Sequence, residues 1–362
     1  MKITGFRLGL LHAPLRVPFR TALREVRSVE DIVVELYTAD GAVGRGEAPP
    51  TAAVTGETLG SIEAALRGHI CPALMKKEAD GLEGLLTAIS RSLAGNTSAK
   101  AAAEIAVWDL YAQQCGQPLY RLLGGGKNRL ETDITISVNE PETMARDAAC
   151  AVAGGYGTLK IKVGENPSLD LARLCAVRAA APEAVIRIDA NQAWTPRQAV
   201  RLLEQMQARG LDIELVEQPV AGKDLDGLQF VTAHSPVPVM ADESVFSPQD
   251  AMTLLQRRAA DYLNIKLMKC GGLANALRII SMAEACGVEC MIGCMLEAKV
   301  SVTAAVHLAC ARGIITRVDL DGPALCSADP VCGGAEFCGR HITLSDRPGL
   351  GISGVSGMKY LD

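Results

Sequence analysis

Short runs rich in β-branched residues recur along the middle of the chain, and each is followed by a stretch in which apolar positions have helical spacing. Their recurrence at about 25 residues is typical of alternating strands and helices, whose right-handed crossovers build a parallel sheet. Eight such runs are present, at 133–138, 158–163, 185–189, 213–217, 237–242, 262–266, 289–292 and 316–321. Eight strand units predict a closed barrel of the (β/α)₈ type.

The chain before this region has a different pattern. A strand-like run at Ile32–Tyr37 leads into an Asp40-Gly41 turn, and helical patterns follow at 58–68, 81–93 and 98–115, the last with Asn96, Thr97 and Ser98 as cap candidates. This predicts an α+β domain over residues 1–128 and a barrel over 129–322. Residues 323–362 are rich in Gly, Ser and Cys, and we expect them to return to the N-terminal domain.

Composition narrows the function further. The 362 residues suffice for a barrel of roughly 250 residues plus a second domain of about 100. A net charge of −5 and an aromatic content of 4% argue against a nucleic-acid partner. No apolar run approaches the roughly 18 residues that cross a membrane. The 12 cysteines include no CxxC pair, which favours a reducing, cytoplasmic compartment.

Charged residues appear where the barrel strands end. Strands that are buried on both faces should be apolar throughout, so these charges need a reason. They are Lys160, Lys162, Asp189, Glu217, Asp242, Lys266, Asp319 and Asp321. From Lys162 to Lys266 they recur every 24 to 28 residues, one strand unit apart. They should therefore share the C-terminal rim of the barrel, where barrel enzymes keep their active sites.

Three of these residues, Asp189, Glu217 and Asp242, are carboxylates from adjacent strands. Three unpaired anions would repel strongly in a partly desolvated site, and a hard divalent cation with oxygen ligands removes that conflict. The sequence thus predicts one Mg²⁺ per subunit, held by this trio. The alternative is that each carboxylate pairs with a lysine or caps a helix.

The lysines lie on both sides of that trio. Lys160 and Lys162 share one face of the preceding strand, and Lys266 lies on the following strand. A substrate carboxylate on the cation would place its α-carbon between them, and the cation would stabilise the enediolate left by proton removal. A neighbouring lysine and a cation both favour a neutral Lys162, as a base requires. Two opposed bases invert a stereocentre, but a one-base reaction and structural ion pairs remain open.

Asp319 and Asp321 are two residues apart on the last strand and should point into the same mouth. With the cation already supplied, they suit a substrate α-ammonium group. A loop ion pair or a helix cap is the alternative.

The order of these motifs resembles the muconate-lactonizing-enzyme subgroup of the enolase superfamily, and within it the L-Ala-D/L-Glu dipeptide epimerases. The resemblance is carried by Lys160–Lys162, Asp189–Asn191, Val216–Pro219, Ala241–Ser244, Asn264–Gly272 and Asp319–Asp321, together with 18–24, 46–50 and 96–102. It covers nearly the whole chain.

The resemblance implies a TIM-like (β/α)₇β barrel with an N-terminal α+β capping domain, and the same Mg²⁺ ligands. It implies Lys162 and Lys266 as the acid/base pair, with Lys160 adjusting Lys162. The substrate residues that it implies are Arg24 for a glutamate side chain, Asp319 and Asp321 for the ammonium group, and Met295 and Leu296 in the pocket. It also implies a small-molecule dipeptide substrate, murein peptide metabolism and a homo-oligomer.

Other functions remain open at this point. A cycloisomerase or o-succinylbenzoate synthase of the same superfamily would leave the Asp319–Asp321 pair without an ammonium group to bind. A barrel that only binds a carboxylated metabolite would have no use for opposed lysines. A dipeptide epimerase of another side-chain specificity also stays open, because three positions depart from the pattern of the Ala-Glu enzymes that the chain resembles. Cys294 stands in place of a small hydroxyl residue, Arg20 in place of a lysine, and Leu296 in place of another aliphatic residue.

Overall fold

A computed structural model describes residues 2–20, 25–75, 81–164 and 166–361 of the chain. Its strands in chain order are β1 (Ile3–Arg20), β2 (Glu25–Thr38), β3 (Val43–Ala48), β4 (Arg129–Glu131), β5 (Ile134–Ile136), β6 (Thr158–Lys162), β7 (Val185–Asp189), β8 (Ile213–Glu217), β9 (Val239–Ala241), β10 (Tyr262–Lys266), β11 (Cys290–Gly293), β12 (Ile315–Asp319), β13 (Val331–Gly333), β14 (Glu336–Cys338), β15 (His341–Thr343), β16 (Ile352–Val355) and β17 (Lys359–Leu361).

The helices are α1 (Leu59–Ala65), which continues through a π-helical turn at Leu66–Ile70 into α2 (Cys71–Met75), then α3 (Leu82–Arg91), α4 (Thr97–Gln114), α5 (Leu119–Leu122), α6 (Pro141–Ala153), α7 (Pro167–Ala180), α8 (Pro196–Ala208), α9 (Leu225–His234), α10 (Pro248–Arg257), α11 (Leu267–Cys270), α12 (Leu273–Cys286), α13 (Lys299–Ala311) and α14 (Gly322–Leu325). Among the helices of the described ranges, none is both long and apolar enough to cross a lipid bilayer.

An antiparallel sheet with the order β17-β1-β2-β3 forms the N-terminal domain, together with helices α1 to α4. Helix α4 lies directly against β3 because two glycines of that strand leave room for it. A Cβ at Gly44 would come within 2.2 Å of the Ala106 carbonyl oxygen, and one at Gly46 within 1.8 Å of the Ala102 carbonyl oxygen. Any side chain at these positions would separate helix and sheet.

The barrel consists of eight parallel strands in the order β5 to β12, which follows the chain. The Asp133 N–H donates to the Val318 carbonyl (3.2 Å) where the first strand meets the last. Helices lie between successive strands, and β12 is followed only by the short α14 before the chain leaves the barrel. The predicted (β/α)₇β barrel with an N-terminal α+β capping domain is thus confirmed, and each predicted barrel strand begins and ends within a few residues of an observed one.

Two features differ from the sequence-based expectation. β4 lies in the stretch predicted as barrel, but it pairs with β15 in a separate antiparallel sheet of the order β14-β15-β4. Asn96 precedes α4 as predicted, but its left-handed backbone (φ 52°) turns its side chain away. The carboxylate of Glu57 accepts the N–H groups of Ser98 (2.9 Å) and Ala99 (3.1 Å) instead.

The C-terminal segment crosses back to the first domain, where β17 pairs with β1 and brings Leu361 opposite Leu8. The division of the chain at 128/129 and 322/323 stays a prediction.

Candidate active site

Strand register assembles the charged rim of the barrel. Lys162 on β6 lies opposite Asp189 on β7, which lies opposite Glu217 on β8. Asp242 comes directly after β9, and Lys266 ends β10. Because parallel strands end at the same edge of the barrel, all five side chains meet at its C-terminal mouth.

The three carboxylates are fully buried, with 0% exposure for Asp189 and 1% each for Glu217 and Asp242. Lysine amines approach them from both ends of the row. Lys162 Nζ lies 2.6 Å from Asp189 Oδ2, and Lys266 Nζ lies 2.8 Å from Asp242 Oδ2. The structure therefore places the two lysines at opposite ends of the row of acids.

Lys160 fills the centre of the site. Its Nζ lies 3.2 Å from Asp189 Oδ2, 2.7 Å from Glu217 Oε2 and 2.7 Å from Asp319 Oδ2. Asp319 is thus matched by a cation of the protein itself, which is the ion-pair alternative considered from the sequence. Asp321 differs, because its Oδ2 accepts the backbone N–H of Thr135 (2.7 Å).

These contacts set the ionisation of the site. Burial alone lowers the pKa of Lys160 and of Lys266, but the surrounding carboxylates outweigh burial and raise the pKa of both. For Asp189, burial is opposed by Lys162 and Lys160, and the net effect lowers its pKa to about 2. Burial and repulsion from Asp189 raise the pKa of Glu217 to about 7. Burial and Asp319 raise the pKa of Asp321 to about 6.

The fit of this site to a divalent cation depends on its donors. Buried carboxylates on three adjacent strands are the oxygen ligands that Mg²⁺ prefers. In the described residues, no three Asp, Glu, His or Cys side chains are arranged to hold a metal as they stand. The reason is visible in the contacts, since lysine amines occupy the carboxylate oxygens. The donor set fits Mg²⁺ in kind and number, and the amines would have to withdraw from it.

The predicted substrate residues Met295 and Leu296 lie in the loop 294–298 between β11 and α13. This loop starts beside the charged rim, because Gly293 is in register with both Lys266 and Asp319. Met295 is buried and Leu296 half-buried. Arg24, the remaining predicted substrate residue, lies outside the described residues.

Several residues that orient the site were not assigned a role from the sequence. Asn264 Nδ2 donates to Glu217 Oε1 (2.8 Å), and Lys269 Nζ lies 2.5 Å from Asp242 Oδ1. Gln218 Oε1 accepts the N–H of Asp242 (2.9 Å). A Cβ at Gly293 would come within 3.0 Å of Lys266 Cε, so glycine leaves the lysine its path. In the sequence, Asn264, Gln218 and Lys269 lie within three residues of a rim charge, and that position was the signal, whereas Gly293 has no such neighbour.

Family models match both parts of the chain. The model described as "Mandelate racemase / muconate lactonizing enzyme, N-terminal domain" matches residues 8–124, and that described as "Enolase C-terminal domain-like" matches residues 143–354. The chain therefore belongs to the enolase superfamily, in its mandelate racemase/muconate lactonizing enzyme group.

Individual relatives are similar over their whole length. The L-Ala-D/L-Glu epimerase of Clostridium acetobutylicum is 54% identical over 98% of this chain and 100% of its own. The substrate-liganded structure of the L-Ala-D/L-Glu epimerase from Bacillus subtilis has a TM-score of 0.97 at 48% identity, covering 98% of this chain and 100% of that one. The dipeptide epimerase of Enterococcus faecalis, complexed with Mg and L-Leu-L-Tyr, has a TM-score of 0.94 at 41% identity, with the same coverage. Because these similar relatives are epimerases, the chain is an enzyme of the isomerase class.

Proposed function

We propose that this enzyme is a Mg²⁺-dependent dipeptide epimerase that inverts the α-carbon of the C-terminal residue, with L-Ala-D/L-Glu as its substrate. The observation that carries the proposal is the placement of Lys162 and Lys266 at opposite ends of one row of buried carboxylates. The names of its relatives support the substrate class.

Asp189, Glu217 and Asp242 would hold the cation. When bound, Mg²⁺ supplies positive charge beside the substrate carboxylate and stabilises the negative charge that develops there. With these carboxylates engaged by the cation, Lys266 would lose part of the anionic surroundings that raise its pKa, and a neutral amine would be favoured.

Lys162 and Lys266 would exchange the α-proton. One amine removes the proton from one face of the α-carbon, and the ammonium group of the other returns a proton to the opposite face. Proton transfer from opposite sides inverts the centre, whichever lysine starts. Lys160, enclosed by three carboxylates, would keep its proton and orient Asp189 and Glu217.

Asp319 and Asp321 would bind the dipeptide ammonium group. Asp321 is suited to this role because, unlike Asp319, no lysine or arginine of the described residues forms an ion pair with it. A cation from the substrate would complete its partners.

Side-chain specificity would come from Met295, Leu296 and the glutamate-binding Arg24. A second candidate is a dipeptide epimerase for apolar side chains, because the Enterococcus faecalis relative is complexed with L-Leu-L-Tyr. Free cysteines throughout the chain agree with a reaction in the cytoplasm, where a role in murein peptide metabolism fits the substrate.

The experiment is ¹H NMR of L-Ala-L-Glu and L-Leu-L-Tyr in D₂O with Mg²⁺. We expect loss of the α-proton signal of the C-terminal residue and appearance of the epimer, faster for L-Ala-L-Glu. If both dipeptides keep their α-protons, the proposal is contradicted. Faster exchange of L-Leu-L-Tyr would select the second candidate.

A further inference from the structure

Helix α13, which follows the substrate-pocket loop, begins without a cap of its own. Its N-cap residue is Ala298, whose side chain has no acceptor. A carboxylate from the capping domain serves instead. Glu47 on β3 accepts the Ala298 N–H on Oε1 (3.0 Å) and the Ser301 N–H on Oε2 (2.9 Å). A carboxylate at this position satisfies the open N–H groups and favours the positive end of the helix dipole.

Glu297 connects this cap to the loop itself. Its Oε1 accepts the backbone N–H of Met295 (2.7 Å), and its Oε2 is in close contact with Ser301 Oγ. Ser301 Oγ also lies 3.1 Å from Glu47 Oε2. One hydroxyl thus links the carboxylate that holds the helix to the carboxylate that holds the loop.

Asp31 on β2 completes the cluster, with Oδ2 3.3 Å from the Ala298 nitrogen. All three acids are buried, at 1% (Asp31), 0% (Glu47) and 3% (Glu297) exposure. Within the described ranges, no lysine or arginine forms an ion pair with any of them. Burial raises the pKa of Glu297 to about 7, and burial with repulsion from Glu47 raises the pKa of Asp31. Protonation and hydrogen bonds from N–H groups therefore stabilise these buried acids, where the rim acids have lysines.

The opposite side of the loop packs against the charged rim. A Cβ at Gly322 would come within 2.8 Å of the Glu297 carbonyl oxygen, so the loop backbone lies directly on the residue after Asp321. The loop is fixed between the rim on one side and carboxylates of the capping domain on the other. A shift of the cluster would therefore move Met295 and Leu296 relative to the site.

We propose that Glu297 and Glu47, linked through Ser301, are positioning residues that set side-chain selectivity by fixing the 294–298 loop, without touching the substrate. This inference rests on the proposed dipeptide epimerisation for its selectivity, but the fixing of the loop can be measured without any substrate.

The test compares three variants by α-proton exchange of L-Ala-L-Glu and L-Ala-L-Leu, with kcat and KM determined for each. Glu297→Ala removes the acceptor of the Met295 N–H, and we expect the ratio of the two kcat/KM values to change about tenfold. Ser301→Ala breaks only the link and should change the ratio about threefold, while alanine maintains the helix. Glu297→Gln keeps an acceptor for Met295 and can donate to Ser301, so its ratio should stay within about twofold of wild type.

Ser281→Ala is the matched control, because Ser281 lies exposed on α12 and its hydroxyl donates only to the Leu277 carbonyl. It should leave the ratio unchanged. A folded Glu297→Ala with the wild-type ratio overturns the proposal. If Glu297→Ala does not fold, a wild-type ratio in Ser301→Ala overturns the proposal instead. A ratio that changes as much in Glu297→Gln as in Glu297→Ala also overturns the proposal. The hydrogen bond to the Met295 N–H would then not be the cause of the selectivity.

Amide hydrogen exchange of the 294–301 segment supplies the substrate-free measurement. We expect faster exchange in Glu297→Ala and Ser301→Ala than in wild type, and wild-type exchange in Glu297→Gln. Unchanged exchange in the two alanine variants overturns the positioning role. A wild-type enzyme inactive on all dipeptides would contradict the proposed function, while this exchange experiment would still decide whether Glu297 fixes the loop.

Discussion

Two of the buried carboxylate clusters in the described part of the chain are stabilised in opposite ways. At the barrel rim, Asp189, Glu217 and Asp242 face lysine amines. Between the domains, Asp31, Glu47 and Glu297 face backbone N–H groups, one hydroxyl and each other. The lysines lower the pKa of Asp189 and Asp242, so these two rim acids are ionised, whereas protons must neutralise part of the second group. We therefore expect a metal at the rim cluster, where it could exchange with lysine amines, and not at the second cluster.

The largest expected effect comes from removing the amines at the rim. Lys162→Ala and Lys266→Ala should each lower epimerisation at least about 10³-fold, because one face of the α-carbon loses its acid/base group. ¹H NMR of L-Ala-L-Glu in D₂O measures this. Lys127→Ala, at an exposed lysine, is the control. Near-wild-type turnover in either rim variant would rule out the two-base assignment.

Removing the metal should separate activity from stability. EDTA should abolish turnover, and added Mg²⁺ should restore it. The fold should survive this treatment, because lysine amines neutralise the rim carboxylates when the cation is absent. Circular dichroism and thermal unfolding with and without EDTA would check it. Unfolding on chelation would show that the lysines do not replace the cation.

Among the described residues, no lysine forms an ion pair with the rim acid Asp321, and loss of its charge should affect only substrates with an ammonium group. Asp321→Asn removes the charge that would attract the dipeptide ammonium group but can still accept the Thr135 N–H. We expect KM for L-Ala-L-Glu to rise about tenfold. N-acetyl-L-Ala-L-Glu, which has no ammonium group, should lose far less. Equal losses on both compounds would remove Asp321 from ammonium binding.

The smallest effect concerns the protonated cluster and its dependence on pH. The pKa of Glu297 is raised from 4.5 to about 7 in the folded protein, mainly by burial. As pH rises from 4.5 to 7, the unfolded chain loses this proton while the folded chain keeps it, so the stability falls through that window. Glu297→Gln has no such proton, and should gain about 2 kcal/mol relative to wild type between pH 5 and pH 8.

Urea unfolding at pH 5, 6, 7 and 8 measures this gain. The titratable groups that face Glu297 are Asp31, Glu47, Lys266 and the Cys294 thiol, and all of them remain in the variant. Glu183→Gln, at an exposed residue, is the control and should show no trend with pH. A constant difference between Glu297→Gln and wild type would mean that Glu297 is ionised throughout.

The same comparison explains what could be predicted from the sequence. The rim charges follow regularly spaced strands, so their spacing alone predicted that Asp189, Glu217 and Lys266 share one edge of the barrel. Asp31, Glu47 and Glu297 have no such period, and Glu47 lies 251 residues before the Ala298 that it binds. The Glu57 cap of α4 and the pairing of β4 with β15 were not predicted either, because both join residues that are far apart in the sequence. Local periodicity reveals repeated units, and contacts between distant segments leave no local trace.

The pairing of β17 with β1 has a consequence for synthesis of the protein. Residues 359–361 complete a sheet whose first strand starts at residue 3, and the whole barrel is inserted between them. On the ribosome, the outer edge of β1 therefore stays open until the barrel has emerged. An open strand edge is a site for pairing with other chains. We expect this edge to be where a nascent chain depends most on protection.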